Sequence, residues 1–396
     1  MATFSVEFLG CKVSHTDAQA LRERLAADGH TESAGETDVA VVNTCCVTHE
    51  AVRKSRQAAR RAARRSGTVY VTGCAANLGR ALAGLPGNVR VVSLLGEETA
   101  EQVSADVGVL GCTNAAIGLD RVRAFVKIQD GCSFSCGFCV IPQVRGVSRS
   151  RPAKTVLAEI RKRVEQGHRE VVLTGVNLGC YRDREHGYTL AALVREAGQT
   201  PGLARLRLSS IEVNHLGDEL IAALEETLIV SRHLHVPLQS GDDRVLREMG
   251  RRYDVQTYLR RVAKAEGFNL TTDVMVGFPA EDDEAFEGTL AAVAAAGITK
   301  VHVFPYSPRP GTRTAEADPV PLAVKKERSA RLRRASVEAC RRRWHARLGE
   351  EDVVLVDRPG RGYADDYTPW LVAGQVGTLV RARARAVAEE GIVGVV

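Results

Sequence analysis

Apolar and polar residues alternate in blocks along the first hundred positions. Phe4–Cys11 is apolar and β-prone, and His15–Asp28 has helical spacing with Ser14 available as N-cap. Asp38–Cys45 (DVAVVNTC) reads as a buried strand, followed by a helix from about Glu50 to Arg65. Thr68–Cys74 and Asn88–Leu94 are further strands, and this β-α-β-α-β order predicts a doubly wound parallel sheet. Gly96–Asp120 is less regular. From Arg121 a second series predicts strands at Ala124–Gln129, Glu170–Gly175, Arg205–Ile211, His233–Gln239, Leu270–Gly277 and Lys300–Tyr306. Helical patterns fall between them at Lys154–Gly167, Thr189–Ala197 (with Gly198 as a stop), Asp218–Glu226, Val255–Glu266 and Asp283–Ala296. Six β/α units fit a partial (β/α) barrel or a second wound sheet, with chemistry at the strand carboxyl ends in both. From about Gly349 to Val396, short β-prone pieces separated by Gly, Asp and Pro predict a small antiparallel barrel.

Cysteine placement adds chemistry to this outline. Cys11, Cys45 and Cys74 end three predicted strands, in GC, NTC and TGC, so the topology would bring them to one sheet edge. Three small buried hydrophobes is the plain reading; three thiols on one edge favour a metal site. Cys46 would point the other way if its strand continued, and is treated as a spare. Cys132, Cys136 and Cys139 have C-x3-C-x2-C spacing in GCSFSCGFC. Structural zinc asks for four ligands, usually in two pairs, and Cys112 and Cys180 are isolated. A four-iron cluster held by three thiolates fits better, because one iron then stays open to a substrate ligand. Cys112, Cys180 and Cys340 are read as non-ligands, and His235 and His302 as core histidines.

At 396 residues, 44% hydrophobic and 26% charged, the chain has an ordinary globular composition and two or three domains are expected. No apolar run is long enough to span a bilayer, and the opening MATFSVEFLGCK lacks a secretion signal. A cytoplasmic location with no membrane is expected, where ten cysteines favour metal ligation or catalysis over disulfides. Net charge is only +6 but uneven. Arg53–Arg65 carries seven basic residues and no acid, and Lys325–Arg347 ten against two. One such helix is as well explained by solvation; two favour nucleic-acid contact. The final segment carries five basic and eight acidic residues, so any RNA contact there needs local positive charge.

The C-x3-C-x2-C motif after the first strand of a β/α series, with Phe138 before its last cysteine, resembles the radical S-adenosylmethionine (SAM) signature. RGVSRSR (Arg145–Arg151), LTGVN (Leu173–Asn177), RLSSIE (Arg207–Glu212), HVPLQSGDD (His235–Asp243), DVMVGFP (Asp273–Pro279) and FPYSPRPGT (Phe304–Thr312) are similar to segments of the methylthiotransferases. The amino-terminal GC, NTC and TGC are similar to that family's second-cluster domain, and the β tail to its TRAM module. The resemblance implies three domains: 1–110 with an auxiliary iron–sulfur cluster, 118–348 as the radical SAM core, and 349–396 as a short TRAM-like module. It implies two [4Fe–4S] clusters, one on Cys132, Cys136 and Cys139 that binds and reductively cleaves SAM, the other on Cys11, Cys45 and Cys74 that carries or donates sulfur. Phe138, Thr174, Gly175, Asn177, Ser209, Gln239 and Gly277 are the expected SAM contacts. At Gly175 the missing side chain would let backbone approach a ligand. Arg145, Arg149 and Arg151 could pair with a phosphate or a carboxylate, and Tyr306–Thr312 reads as a rigid loop beside the site.

Within the family, GCKVSHTDAQ, NTCCVTHEAVRKSRQAARR and HVFPYSPRPGTRTA look most like the branch modifying C2 of N6-threonylcarbamoyladenosine beside the tRNA anticodon. The other branches modify isopentenyladenosine in tRNA or an aspartate of a ribosomal protein. A different class, a non-catalytic iron–sulfur RNA-binding or redox-sensing protein, would need the six cysteines but not the SAM-pocket segments. The resemblance implies partners: tRNA through its anticodon loop, an electron donor of flavodoxin or ferredoxin type, and a sulfur source.

Overall fold

A computed structural model describes residues 1–109 and 122–396; Cys112 and the expected boundary between the first two domains lie outside the described residues. Contacts divide the chain into two units: Met1–Asp120 with Asp130–Phe134 and Cys139–Ser148, and Arg121–Gln129 with Ser135–Phe138 and Arg149–Val396.

The first unit is built on a parallel sheet of β1 (Thr3–Phe8), β2 (Thr31–Glu32), β3 (Thr37–Thr44), β4 (Ser66–Gly73) and β5 (Val89–Val91), in order β2-β1-β3-β4-β5. Alternate residues of β3 feed opposite faces. Val39 and Val41 pack with Leu21 and Leu25 of α1 (Lys12–Ala27) and Val103 of α3 (Glu97–Val107). Ala40 and Val42 pack with Ala58 and Ala59 of α2 (His49–Ala63) and Val144 of α4 (Ile141–Arg145). Helices on both faces make this the expected doubly wound sheet.

Two expectations need correction. The first helix starts at Lys12 with Cys11 at its N-cap, so Ser14 is buried inside the helix and caps nothing; the turn at Gly10, φ +119°, ends the strand that early. Part of the stretch read as irregular is α3, whose buried face mixes Ala100 and Val103 with Thr99 and Ser104, which blurs the apolar period.

The second unit carries β6 (Arg123–Lys127), β7 (Glu170–Thr174), β8 (Arg205–Leu208), β9 (His233–His235), β10 (Asn269–Val276) and β11 (Lys300–Pro305). They form two parallel three-stranded sheets, β6-β7-β8 and β9-β10-β11, joined by the bridge Ser210↔His235. Neighbours in strict chain order, without a reversal, are a partial barrel and not a wound sheet. Around the strands run α5 (Ala153–Glu165), α6 (Leu190–Ala197), α7 (Asp218–Glu226), the short α8 (Asp243–Glu248), α9 (Val255–Val262), α10 (Asp283–Ala295) and α11 (Leu322–Ala346). Gly198 keeps helical dihedrals, φ −61°; an added Cβ would lie 2.2 Å from Thr227 Cγ2, so its role is packing, not a left-handed stop.

The same unit ends in a closed barrel of β12 (Glu351–Arg358), β13 (Arg361–Tyr363), β14 (Pro369–Leu371), β15 (Leu379–Ala388) and β16 (Gly391–Val395), in order β12-β13-β14-β16-β15. Closure removes exposed sheet edges, and the fully buried Trp370 fills its centre.

Candidate active site

In the first unit the register sets Phe8 beside Asn43 and Thr44 beside Gly73, so Cys11, Cys45 and Cys74 follow three adjacent strands at one sheet edge. Gly10 and Gly73, both at positive φ, leave room there. A Cβ on Gly10 would lie 3.0 Å from Cys45 Cβ and 3.2 Å from its sulfur; one on Gly73 would collide with Asn43 at 2.1 Å. Ser55 of α2 fixes Cys45, accepting from its N–H and donating to its carbonyl, both at 3.1 Å. Cys45 and Cys74 are buried and Cys11 is exposed. Burial pushes the Cys45 thiol up to about 11, and the charges of Cys74 and Cys11 push the same way. Cys74 moves oppositely, to about 7, through a hydrogen bond from Cys46 and the Arg145 cation, against the cost of burial. Cys46 therefore touches Cys74 and does not point away, because β3 stops at Thr44.

Among the described residues no three His, Cys, Asp or Glu side chains gather about one ion position. A cluster does not require that, since each thiolate takes its own iron. Three thiols close enough to feel one another's charge beside a fixed guanidinium suit an anionic iron–sulfur group.

The C-x3-C-x2-C loop follows β6. In the first unit, Cys132 N donates to Gly146 O (3.0 Å), and the Cys132 sulfur accepts from Phe134 N (3.4 Å). Arg145 is buried and pairs with carboxylates, which selects one of its two expected partners: Nη1 to Asp130 (3.0 Å), Nη2 to Asp17 (2.9 Å), with Nε on the Cys74 sulfur (3.1 Å). In the second unit, Gly137 N donates to Met249 O (2.9 Å) and Thr314 N donates to Gly137 O (3.1 Å), which pins the stretch around Cys136. Arg251, which sequence reasoning missed, is half-buried there with Nη1 3.4 Å from the Cys136 sulfur and Nη2 3.4 Å from Glu212. Its only sequence signal was position, a cation in a loop between two barrel strands. Burial opposes its charge, but Tyr253, Cys136 and Glu212 together hold its pKa above the usual arginine value.

The expected SAM contacts fall at strand carboxyl ends of this unit. Thr174 closes β7 and Ser209 follows β8; both are buried, and their hydroxyls have no hydrogen-bond partner among the described residues. Orphaned buried hydroxyls on adjacent strands are the polar atoms a bound ligand would satisfy. Asn177 N donates to Gln129 Oε1 (2.8 Å). At Gly175 the missing Cβ leaves room for Gln129, whose Oε1 would lie 2.9 Å from an added Cβ. A Cβ on Gly277 would likewise meet Lys325 at 2.4 Å. Gln239 adopts φ +67°, rare for a residue with a side chain, and is held by N to Asp273 O (2.8 Å) and O from Met275 N (2.9 Å). Phe138 packs edge-on to Phe278, centroids 6.4 Å apart, and Phe278 to Tyr306 at 5.3 Å.

Other expectations resolve separately. Arg151 pairs with Glu159 at 2.6 Å, and Arg149 is exposed. His235 binds Thr271 (2.9 Å) and Asp273 (3.2 Å), whereas His302 is exposed on the edge strand β11 and is not a core residue. Cys180 lies 3.3 Å from His215 Nε2, and Cys340 donates to Thr299 O at 2.9 Å.

Residues 126–293 match the Radical SAM superfamily, and residues 3–92 match the Uncharacterized protein family UPF0004. The radical SAM match implies SAM and a [4Fe–4S] cluster. Among solved structures, the radical SAM methyltransferase TsrM from Kitasatospora setae superposes with TM-score 0.58 at 15% identity, covering 79% of this chain and 75% of that one, a likeness of fold. The threonylcarbamoyladenosine tRNA methylthiotransferase MtaB of Chlamydia pneumoniae is 35% identical over 99% of this chain and 97% of its own. That of Bacillus subtilis (strain 168) is 37% identical, covering 84% and 80%. A tRNA-2-methylthio-N(6)-dimethylallyladenosine synthase of Sorangium cellulosum is 35% identical, covering 90% and 82%. With thiols at the strand ends of both units and relatives alike along nearly their whole length, the chain belongs to the radical SAM methylthiotransferase family.

Proposed function

We propose that the chain is a tRNA methylthiotransferase that converts C2–H to C2–SCH3 on N6-threonylcarbamoyladenosine next to the anticodon. The observation carrying this reading is the 35% identity to a threonylcarbamoyladenosine enzyme across 99% of the chain. Cys132, Cys136 and Cys139 would hold the SAM-binding cluster, and Cys11, Cys45 and Cys74 a second [4Fe–4S] cluster. When bound, the first cluster and SAM supply reductive cleavage of SAM and hydrogen removal from an unactivated carbon. Arg251 balances the Cys136 thiolate, while Thr174, Ser209, Asn177 and Gln239 offer polar groups to SAM, Gly175 and Gly277 shape the backbone beside them, and Phe138 supplies an apolar wall. The working division is 1–110, 118–348 and 349–396, in the cytoplasm, with a flavodoxin- or ferredoxin-type electron donor and a separate sulfur source. No helix among the described residues is long and apolar enough to cross a membrane.

The RNA surface is smaller than the charge runs suggested. In α11, Lys325, Arg328, Arg331 and Arg343 pair with carboxylates of the fold, as does Arg347 just beyond it. Lys326, Arg333, Arg334, Arg341 and Arg342 stay exposed, at spacings that return to one helix face. This row and α2 supply the phosphate contacts. Nucleoside mass spectrometry of tRNA from a deletion strain tests the substrate. Loss of 2-methylthio-threonylcarbamoyladenosine is expected; its persistence, with loss of the methylthio-isopentenyl nucleoside, assigns the isopentenyl branch. Anaerobic reconstitution with SAM and a reductant should yield 5′-deoxyadenosine, and an eight-iron preparation without that product would sink the radical reading.

A further inference from the structure

Arg145 is 2% exposed and spends its donors on three separate segments of the first unit. Nη1 reaches both oxygens of Asp130 at 3.0 Å, and Asp130 stands two residues before Cys132. Nη2 reaches Asp17 at 2.9 Å, on the helix whose N-cap is Cys11. Nε donates to the Cys74 sulfur at 3.1 Å. A planar guanidinium can satisfy a two-oxygen carboxylate, a second carboxylate and a sulfur at once; a lysine ammonium on its flexible stem cannot. Two carboxylates stand against the single cation, so the N–H on sulfur is the directed part of its effect. Hydrogen bonds to cluster thiolates stabilise the reduced, more negative state and raise the reduction potential.

We propose that Arg145 is a positioning residue that ties the Cys132 loop to the strand end bearing Cys74 and holds the potential of the Cys74 cluster up through its Nε–H···S bond. This rests on the reading that Cys74 ligates a second cluster. The neighbouring carboxylates predict opposite effects from opposite substitutions. Arg145→Gln removes a cation and the sulfur's donor, so the potential falls. Arg145→Lys keeps charge without the fork and falls less. Asp17→Asn removes a negative charge but leaves the guanidinium on Cys74, so the potential rises.

The test is a redox titration of the reconstituted full-length protein by electron paramagnetic resonance, with iron counted in each preparation. SAM changes the signal of the cluster it binds, so the SAM-insensitive signal reports the second cluster. At a fixed potential, Arg145→Gln should lower the reduced-to-oxidised ratio of that cluster at least tenfold, about 59 mV for one electron. Eight irons per chain with an unmoved SAM-insensitive potential overturns the role of Arg145 alone. Wild-type protein saturating at four irons overturns the two-cluster reading and this inference with it. If Arg145→Gln does not load its clusters, Asp17→Asn decides: an upward shift supports the inference, and no shift or a downward one overturns it.

Discussion

Two arginines stand on cysteine sulfurs, the half-buried Arg251 on Cys136 and the buried Arg145 on Cys74. Each would offset the charge of a cluster thiolate from inside the fold, where a charge left alone is costly. The cysteines themselves were legible, because strand-end position and C-x3-C-x2-C spacing are local properties of the chain. Their cationic partners were not, since 71 residues separate Arg145 from Cys74 and 115 separate Arg251 from Cys136. Contact at such separations is a product of topology. Cys46 shows the same limit: only the end of β3 at Thr44 decides which way it turns. The proposed division of labour between thiols gives a direct prediction. Cys136→Ala should reduce 5′-deoxyadenosine formation to background. Cys45→Ala should leave SAM cleavage intact and stop thiolation of tRNA, both read by chromatography of one reaction. Full product from Cys45→Ala would remove the role given to the amino-terminal site.

At the scale of elements, the barrel strands and most helices followed from period and turn residues, because each buries a continuous apolar face. The basic helices were harder to read. A run of arginines looks uniform in sequence, yet α11 turns Arg328 inward to Glu281 at 2.7 Å and leaves Arg333 and Arg334 in solvent. Charge count therefore overstated the surface open to RNA. Replacing Arg333 and Arg341 by glutamine should weaken tRNA binding and flatten its log–log salt dependence by about 0.7–0.9 per lost phosphate contact. Filter binding across a salt series measures this, while SAM binding should stay unchanged. An unaltered slope would assign α11 to solvent rather than to phosphate.

At the scale of the second unit, one buried carboxylate joins strands β6, β7 and β8 at their amino ends, opposite the strand ends where SAM is expected. Arg123, Glu170 and Arg205 open three neighbouring strands in direct register. Glu170 is 1% exposed and meets Arg207 at 3.0 Å and Arg205 at 3.2 Å. The same arginines reach the small closed barrel: Arg205 donates to the carbonyls of Val353 (2.8 Å) and Tyr363 (3.2 Å), and Arg123 pairs with Asp357 (3.0 Å). No sequence pattern marks this node, because its members are far apart and each looks like an ordinary surface charge. Burial pushes Glu170 up, but Arg207, Arg205 and Arg123 outweigh it and hold its carboxyl below the usual range. A depressed acid stabilises the fold above its unfolded value, about 4.3, and that contribution disappears as pH falls through the folded value. Glu170→Gln should thus cost about 3–5 kcal/mol at pH 7, the penalty for stranding buried partners of an ion pair. Trp370 fills the small barrel's core and Trp344 of α11 packs against it, so the fluorescence of both tryptophans reports this end of the second unit during urea unfolding. The gap between wild type and Glu170→Gln should be widest at neutral pH and close progressively below about pH 4.3, because protonated wild type then resembles the variant. Equal midpoints at pH 7, or a gap that widens in acid, would show that the small barrel is held by its other contacts and not through Glu170.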